Sequence, residues 1–241
     1  MHNLTQRQVE ILRSLIEEYI ATAEAVGSET LEKKYNLTAS PATIRNEMVR
    51  LTEMGYLQKP HSSAGRMPTA KGMKFYVLEL MKEKELSTVE EVSLKEQVWD
   101  DREEASKCLR EIVKVLAQKT GTVAIAVTDR GEIIAAGYAN ILKMPEFYDI
   151  RTTEILLSIL EEEEYIHSLF REDDDDTHIL LGEDLGPRLQ GPFGFVYARY
   201  KTPLSHSGEI GVIGPARLNY AYVVPAVRYF AHLIPEIAKG W

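Results

Sequence analysis

Apolar positions follow two regimes along the chain: helical spacing through residues 5–119, and from Gly121 onward short apolar runs set off by turn residues. Val9, Leu12, Leu15, Ile16, Tyr19 and Ile20 recur at three- and four-residue steps behind Thr5, which predicts a capped amphipathic helix. Gly27 and Ser28 then open a short second helix over "ETLEKKYN", with Ser28 as its cap. "LTAS" leads to Ser40-Pro41, an N-cap followed by proline at the first helical position, where the missing N–H costs nothing. The third helix runs to about Met54, and Gly55 suits a left-handed stop. A strand "YLQKP", a tip "HSSAGR" and a return "MPT" follow, before Thr69 caps a fourth helix over "AKGMKFYVLELMKEKEL". Three helices, a tight turn before the third and a closing hairpin make a winged helix-turn-helix.

Between residues 88 and 119 there is no Gly or Pro, and Leu94, Val98, Ala105, Leu109, Ile112 and Leu116 form one apolar stripe broken by "WDDREE". One or two linking helices are expected there, available for pairing with a second subunit. "TVAIAVT" and "EIIAAGYA" flank the turn "DRG" as a hairpin, and "HILLG", "GFVYARYKT" and "EIGVIG" read as three further strands, the last two joined by "PLSHSG". Helices are expected over 151–170 and 219–239, the second bent or broken at Pro225 and Pro235. The fold class is therefore α+β, with a winged helix-turn-helix over 1–83, a helical linker over 84–119 and an α/β domain with a mostly antiparallel sheet over 120–241.

Charge sharpens the picture at one place. The formal net charge is −9, yet residues 40–75 hold Arg45, Arg50, Lys59, Arg66, Lys71 and Lys74 against only Glu47 and Glu53. An acidic chain with one cationic block is built to meet an anion locally, not to coat nucleic acid everywhere. On a helical wheel Ile44, Met48 and Leu51 share the core side of the third helix. Ala42, Thr43, Asn46, Val49 and Arg50 oppose them, and Arg45 lies on one flank. Short side chains in the first turn let the helix end approach base edges, where Asn and Arg match adenine and guanine bidentately. Thr43, Arg45, Asn46 and Arg50 are the candidate base-reading residues. Ser28, Ser40, His61, Ser62, Ser63, Arg66, Lys71 and Lys74 are the candidates for phosphate or minor-groove contacts.

Other chemistry finds little support. No apolar run reaches the length of a membrane helix, and the N-terminus lacks a basic-then-apolar signal pattern, so a cytoplasmic protein without a membrane partner is expected. The single cysteine, Cys108, fits a reducing compartment and a packing role. "EEEE" at 161–164 and "DDDD" at 173–176 lack the spaced ligands of a metal loop and read as solvated runs. Ser205-His206-Ser207 has the composition of a turn, with no orienting acid in recognisable order. No metal, cofactor or catalytic residue is expected, and the chain does not read as an enzyme.

The stretches "LTQRQVEILRSLIEEYIATAEAVGSETLEKKY", "SPATIRNEMVRLTEMGYLQKPHSSAGRMPT" and "KGMKFYV" resemble HrcA, the family of heat-inducible transcription repressors of bacteria. "GYANILKMPEF" and "GEIGVIGPARLNYAYVVPAVRYF" extend that resemblance over most of the chain. It implies a GAF-like second domain and a homodimer on double-stranded DNA at an inverted-repeat operator (the CIRCE element) before chaperone genes. It also implies support from the GroE chaperonin. Members of the family are usually longer, with an inserted dimerisation domain between the helix ending near Lys119 and "GYANILKMPEF". Here those two are separated by little more than "TGTVAIAVTDRGEIIAA". Dimer contacts must then come from the 88–119 helices, the α/β domain, or both. The rival reading is a ligand-sensing regulator whose GAF-like domain, with aromatic residues such as Tyr220 and Tyr222, binds a small molecule.

Overall fold

The computed structural model describes residues 4–60, 65–100, 104–171, 175–189, 191–203 and 206–238. The chain divides into two compact units, Met1–Lys82 and Glu83–Trp241.

The first unit holds α1 (Gln6–Thr22), α2 (Ser28–Tyr35), α3 (Pro41–Glu53), the short strands β1 (Leu57–Gln58) and β2 (Met67–Pro68), and α4 (Ala70–Phe75). Thr5 and Gln8 form a reciprocal capping box at the start of α1, satisfying two backbone donors that the first turn leaves over. Leu12, Leu15, Ile16, Leu31, Ile44 and Leu51 are fully buried and join the three helices. Ser40 caps α3 with Pro41 in its first turn, and Gly55 takes a left-handed φ of +79° beyond its end.

Two expectations are corrected. The cap of α2 is Gly27, not Ser28, and no side chain bonds to the first-turn amides there. The fourth helix does not continue to residue 86. It turns π-helical over Tyr76–Leu80, ends with Met81 N–H donating to Tyr76 C=O at 2.8 Å, and Met81 is extended.

The second unit is a five-stranded sheet in the order β4-β3-β7-β6-β5, antiparallel throughout: β3 (Val123–Thr128), β4 (Ile133–Ala136), β5 (Thr177–Leu181), β6 (Phe193–Lys201) and β7 (Ser207–Pro215). Its strands are covered on both faces, which is why β3 and β6 read as near-continuous apolar runs. On one face Val123, Ile125, Val127, Phe193, Phe195, Tyr197 and Ile213 pack with Leu156, Ile159 and Ile166. These three residues come from α7 (Ile150–Leu160) and α8 (Glu163–Ser168). The other face carries α6 (Ala105–Thr120) and α9 (Tyr220–Ile237), with α5 (Thr88–Trp99) against both. The segment expected as a linker thus folds into this unit.

The single helix expected over 151–170 is two. The Glu161–Glu164 run breaks it, and Glu162 leaves the helical path to bond Arg188 through both carboxylate oxygens. The closing helix, expected to bend or break, is continuous through both prolines. Pro225 has no N–H to offer the Ala221 carbonyl one turn back, and the amide of Lys84 fills that acceptor at 2.7 Å. A tertiary bond replaces the lost helical one.

Candidate nucleic-acid interface

Helix α3 presents Ala42, Arg45, Asn46, Val49 and Arg50 to solvent and buries Ile44, Met48 and Leu51. Among the described residues, no ion pair or side-chain hydrogen bond engages Arg45, Asn46 or Lys59. At the helix start the Ser40 hydroxyl accepts from Thr43 N–H at 3.3 Å and lies 3.0 Å from the Thr43 hydroxyl. Ser40 and Thr43 therefore act first as a cap.

Arg50 is not free-swinging. Its Nη1 donates to Glu47 Oε1 at 3.0 Å, while the Arg50 side chain stays 64% exposed. Glu47 is itself buried, and its second oxygen accepts from Gln8 Nε2 at 2.9 Å. Gln8 is the capping-box residue of α1, so the start of the first helix is tied through Glu47 to a cationic side chain on the exposed face of the third. One guanidinium nitrogen is fixed and the rest of the fork is left to recognise another group, which lowers the ordering cost of binding. Glu47 and Gln8 were absent from the sequence-based candidates. The signals were Glu47's place on the flank of the core side and the T-x-x-Q spacing of Thr5 and Gln8. Replacing Glu47 with Ala is expected to lower the stability of this unit by about 2 kcal/mol, because the Gln8 amide is left unpaired in the interior. Chemical denaturation of the parent and the variant measures the loss.

The base of the wing is pinned to the α1–α2 connection. Val26 N–H donates to Arg66 C=O and Arg66 N–H donates to Val26 C=O, both at 2.9 Å. A Cβ on Gly65 would fall 2.3 Å from the Val26 carbonyl oxygen, so only glycine fits this close approach. Arg66, expected to reach phosphate or the minor groove, makes two contacts within this unit. Its Nε donates to Thr52 Oγ1 at 3.1 Å and Nη1 to Gly65 C=O at 3.4 Å, which lays the guanidinium along α3.

A cleft of about 500 Å³ lies beside it, lined by Ser28, Arg45, Lys59 and Arg66 together with Met48, Val49 and Glu29. Three residues expected to contact DNA thus share one concavity, and Lys59 joins them. Asn46 and Arg50 lie on the exposed face of α3, outside the residues that line the cleft.

Lys71, expected to meet phosphate, also holds the end of α3. Its Nζ donates to the Met54 carbonyl at 2.8 Å, where the C-terminal end of α3 favours a cation, and it stands 4.5 Å over the Tyr56 ring. Burial pushes the Tyr56 hydroxyl above its ordinary range. Lys74 is exposed on α4. His61, Ser62 and Ser63 lie outside the described residues.

What the arrangement does chemically is narrow. A half-buried helix end, small polar caps and fixed guanidinium groups offer donors to an extended anion with readable edges. Among the described residues, no cluster of three or more His, Cys, Asp or Glu is placed to hold a metal ion. None of their helices is long and apolar enough to cross a membrane.

Comparison with known proteins agrees with this reading. The first unit matches the family model "Winged helix-turn-helix transcription repressor, HrcA DNA-binding" over residues 3–82, and residues 65–224 match "HrcA protein C terminal domain". The heat-inducible transcription repressor HrcA of Desulforudis audaxviator is 29% identical, with 98% of each chain covered. The same-named protein of Thermomicrobium roseum is 25% identical over 97% of this chain and 95% of its own. That second alignment runs over 331 positions against a chain of 241 residues. At least 90 positions inside the aligned span therefore have no counterpart here. A crystal structure described only as that of a hypothetical protein superimposes with a TM-score of 0.84 at 19% identity, covering 98% of this chain and 99% of the other, and shares the fold. The two family models together span nearly the whole sequence, and the chain belongs to the HrcA family.

Proposed function

We propose that this protein is a heat-shock transcription repressor that binds an inverted-repeat operator as a homodimer. The family is one of transcription repressors, not a class of enzyme, and its DNA-binding model covers the first unit. The observation that carries the reading is the exposed face of α3, where Arg45, Asn46 and Arg50 stand beside a cleft lined by Lys59 and Arg66. In a dimer two such helices enter successive major grooves about 34 Å apart, so the operator repeats with the symmetry of the protein.

The test is fluorescence anisotropy with a CIRCE-type inverted repeat and with a scrambled duplex of equal length, in the same salt. Tighter binding to the repeat, with two chains per duplex, is the expected result. Equal affinity for both duplexes refutes sequence-specific repression, and one chain per duplex refutes the dimer.

Lys74 is assigned to phosphate, without base contact. Lys74→Ala is expected to weaken both duplexes alike and to reduce the slope of log affinity against log salt by about one. A titration series between low and physiological salt measures it.

A further inference from the structure

We propose that Val49 reads the C5-methyl group of a thymine at the edge of the major groove. The inference rests on the repressor reading above and adds a specificity-determining residue that has no polar group. Among the described residues of the first unit, Val49 and Leu78 are the exposed large apolar side chains. Val49, 38% exposed, stands on the face of α3 that also presents Ala42, Arg45, Asn46 and Arg50. On a helix of about 3.6 residues per turn it lies about 40° from Arg45 on one side and about 60° from Asn46 on the other, near the middle of that face.

The surroundings of Val49 select its ligand. It lines the cleft together with Arg45, Lys59 and Arg66. Glu29, also in that lining, stands 3.9 Å from the Lys33 ammonium, which offsets its charge. The cleft side of Val49 is therefore cationic and suits a phosphate strand. The other side carries Asn46 and Arg50, whose amide and guanidinium suit base edges.

An apolar side chain between a phosphate seat and base-reading groups meets the margin of the base edge nearest the backbone. In the major groove that margin is where thymine carries its C5-methyl, the apolar group that distinguishes its edge. The isopropyl group of Val49 has no hydrogen bond to give, and it contacts that methyl through burial alone. A deoxyribose offers an apolar contact too, but one without sequence information, and the experiment separates the two.

The experiment titrates the full chain with a CIRCE-type inverted repeat, with the scrambled duplex, and with a panel of repeats in which each symmetric pair of thymines is replaced by deoxyuridine. Deoxyuridine keeps the base pairing and the phosphates and lacks only the methyl. At one thymine pair the parent is expected to lose affinity roughly tenfold, from one buried methyl contact in each half-site. Val49→Ala is expected to bind the unmodified repeat roughly tenfold more weakly, to keep its affinity for the scrambled duplex, and to show no further loss at that pair. Its denaturation midpoint is expected to match the parent's, because the position is exposed and alanine favours a helix. Val49→Ile keeps an apolar side chain and is expected to retain the sensitivity to deoxyuridine. The inference is overturned if no thymine pair is sensitive in the parent, or if Val49→Ala keeps the parent's sensitivity. It is likewise overturned if Val49→Ala weakens the scrambled duplex as much as the repeat, which is the result of a deoxyribose contact. Each of those results leaves the parent's preference for the repeat in place, whereas equal parent affinity for both duplexes refutes the repressor reading and this inference with it.

Discussion

Gly65→Ala is expected to destabilise the first unit by about 2–4 kcal/mol and to weaken binding to every duplex at least tenfold. The new Cβ would stand 2.3 Å from the Val26 carbonyl oxygen and 2.5 Å from its carbon, both backbone atoms that no rotamer change can clear. The wing must move away, and the two bonds between Val26 and Arg66 are lost with it. Each such bond contributes about 1 kcal/mol, and the forced displacement adds strain of similar size. Arg66 is carried off Thr52, which opens the cleft it forms with Ser28, Arg45 and Lys59. Gly27→Ala is the control. The nearest atom to its Cβ is Thr30 Oγ1 at 3.9 Å, an ordinary contact, and no more than about 1 kcal/mol is expected, from the poorer N-cap alone. Chemical denaturation gives the stability, and amide exchange at Val26 and Arg66 shows whether the wing has detached. Parent-like protection at those two amides in Gly65→Ala would contradict the account.

The elements that local chemistry specifies were legible in the sequence. Ser40-Pro41 marks the start of α3 because a hydroxyl cap and a proline without N–H have few other uses together, and Gly55 marks its end through φ > 0. The five strands were legible because apolar runs of four to nine residues between turn residues have no room for a helix. What stayed hidden depends on partners distant in sequence. Pro225 breaks a helix in isolation, and only the Lys84 amide, some 140 residues earlier, makes the continuous α9 possible. Lys71 sits unfavourably in the first turn of its own helix, and the carbonyl it satisfies belongs to the end of another.

The same reason limits the interface. Spacing on a wheel separates the exposed side of α3 from its buried side, and it placed Asn46 and Arg50 correctly on the former. It carries no information on Gln8 meeting Glu47 across 39 residues, or on Arg66 turning towards Thr52. Polar contacts between elements are set by tertiary packing, which periodicity does not encode.

The double variant Asn46→Ala with Arg50→Ala is expected to lose sequence discrimination by roughly 10²–10⁴-fold, from about 1–3 kcal/mol at each position. The two residues are one helical turn apart on the exposed face of α3, so they present their polar ends side by side from one rigid support. They differ in what the free protein has already arranged. Arg50 is held at one nitrogen by Glu47, so its truncation removes a preordered fork, whereas Asn46 must be ordered on binding. Arg50→Ala alone is therefore expected to cost more than Asn46→Ala alone. In the double variant the scrambled duplex loses only the charge of Arg50, and its salt slope falls by at most about one. Anisotropy titrations with both duplexes at fixed salt separate the outcomes. If the inverted repeat and the scrambled duplex weaken equally, these side chains hold phosphate only and base reading belongs to another part of the surface.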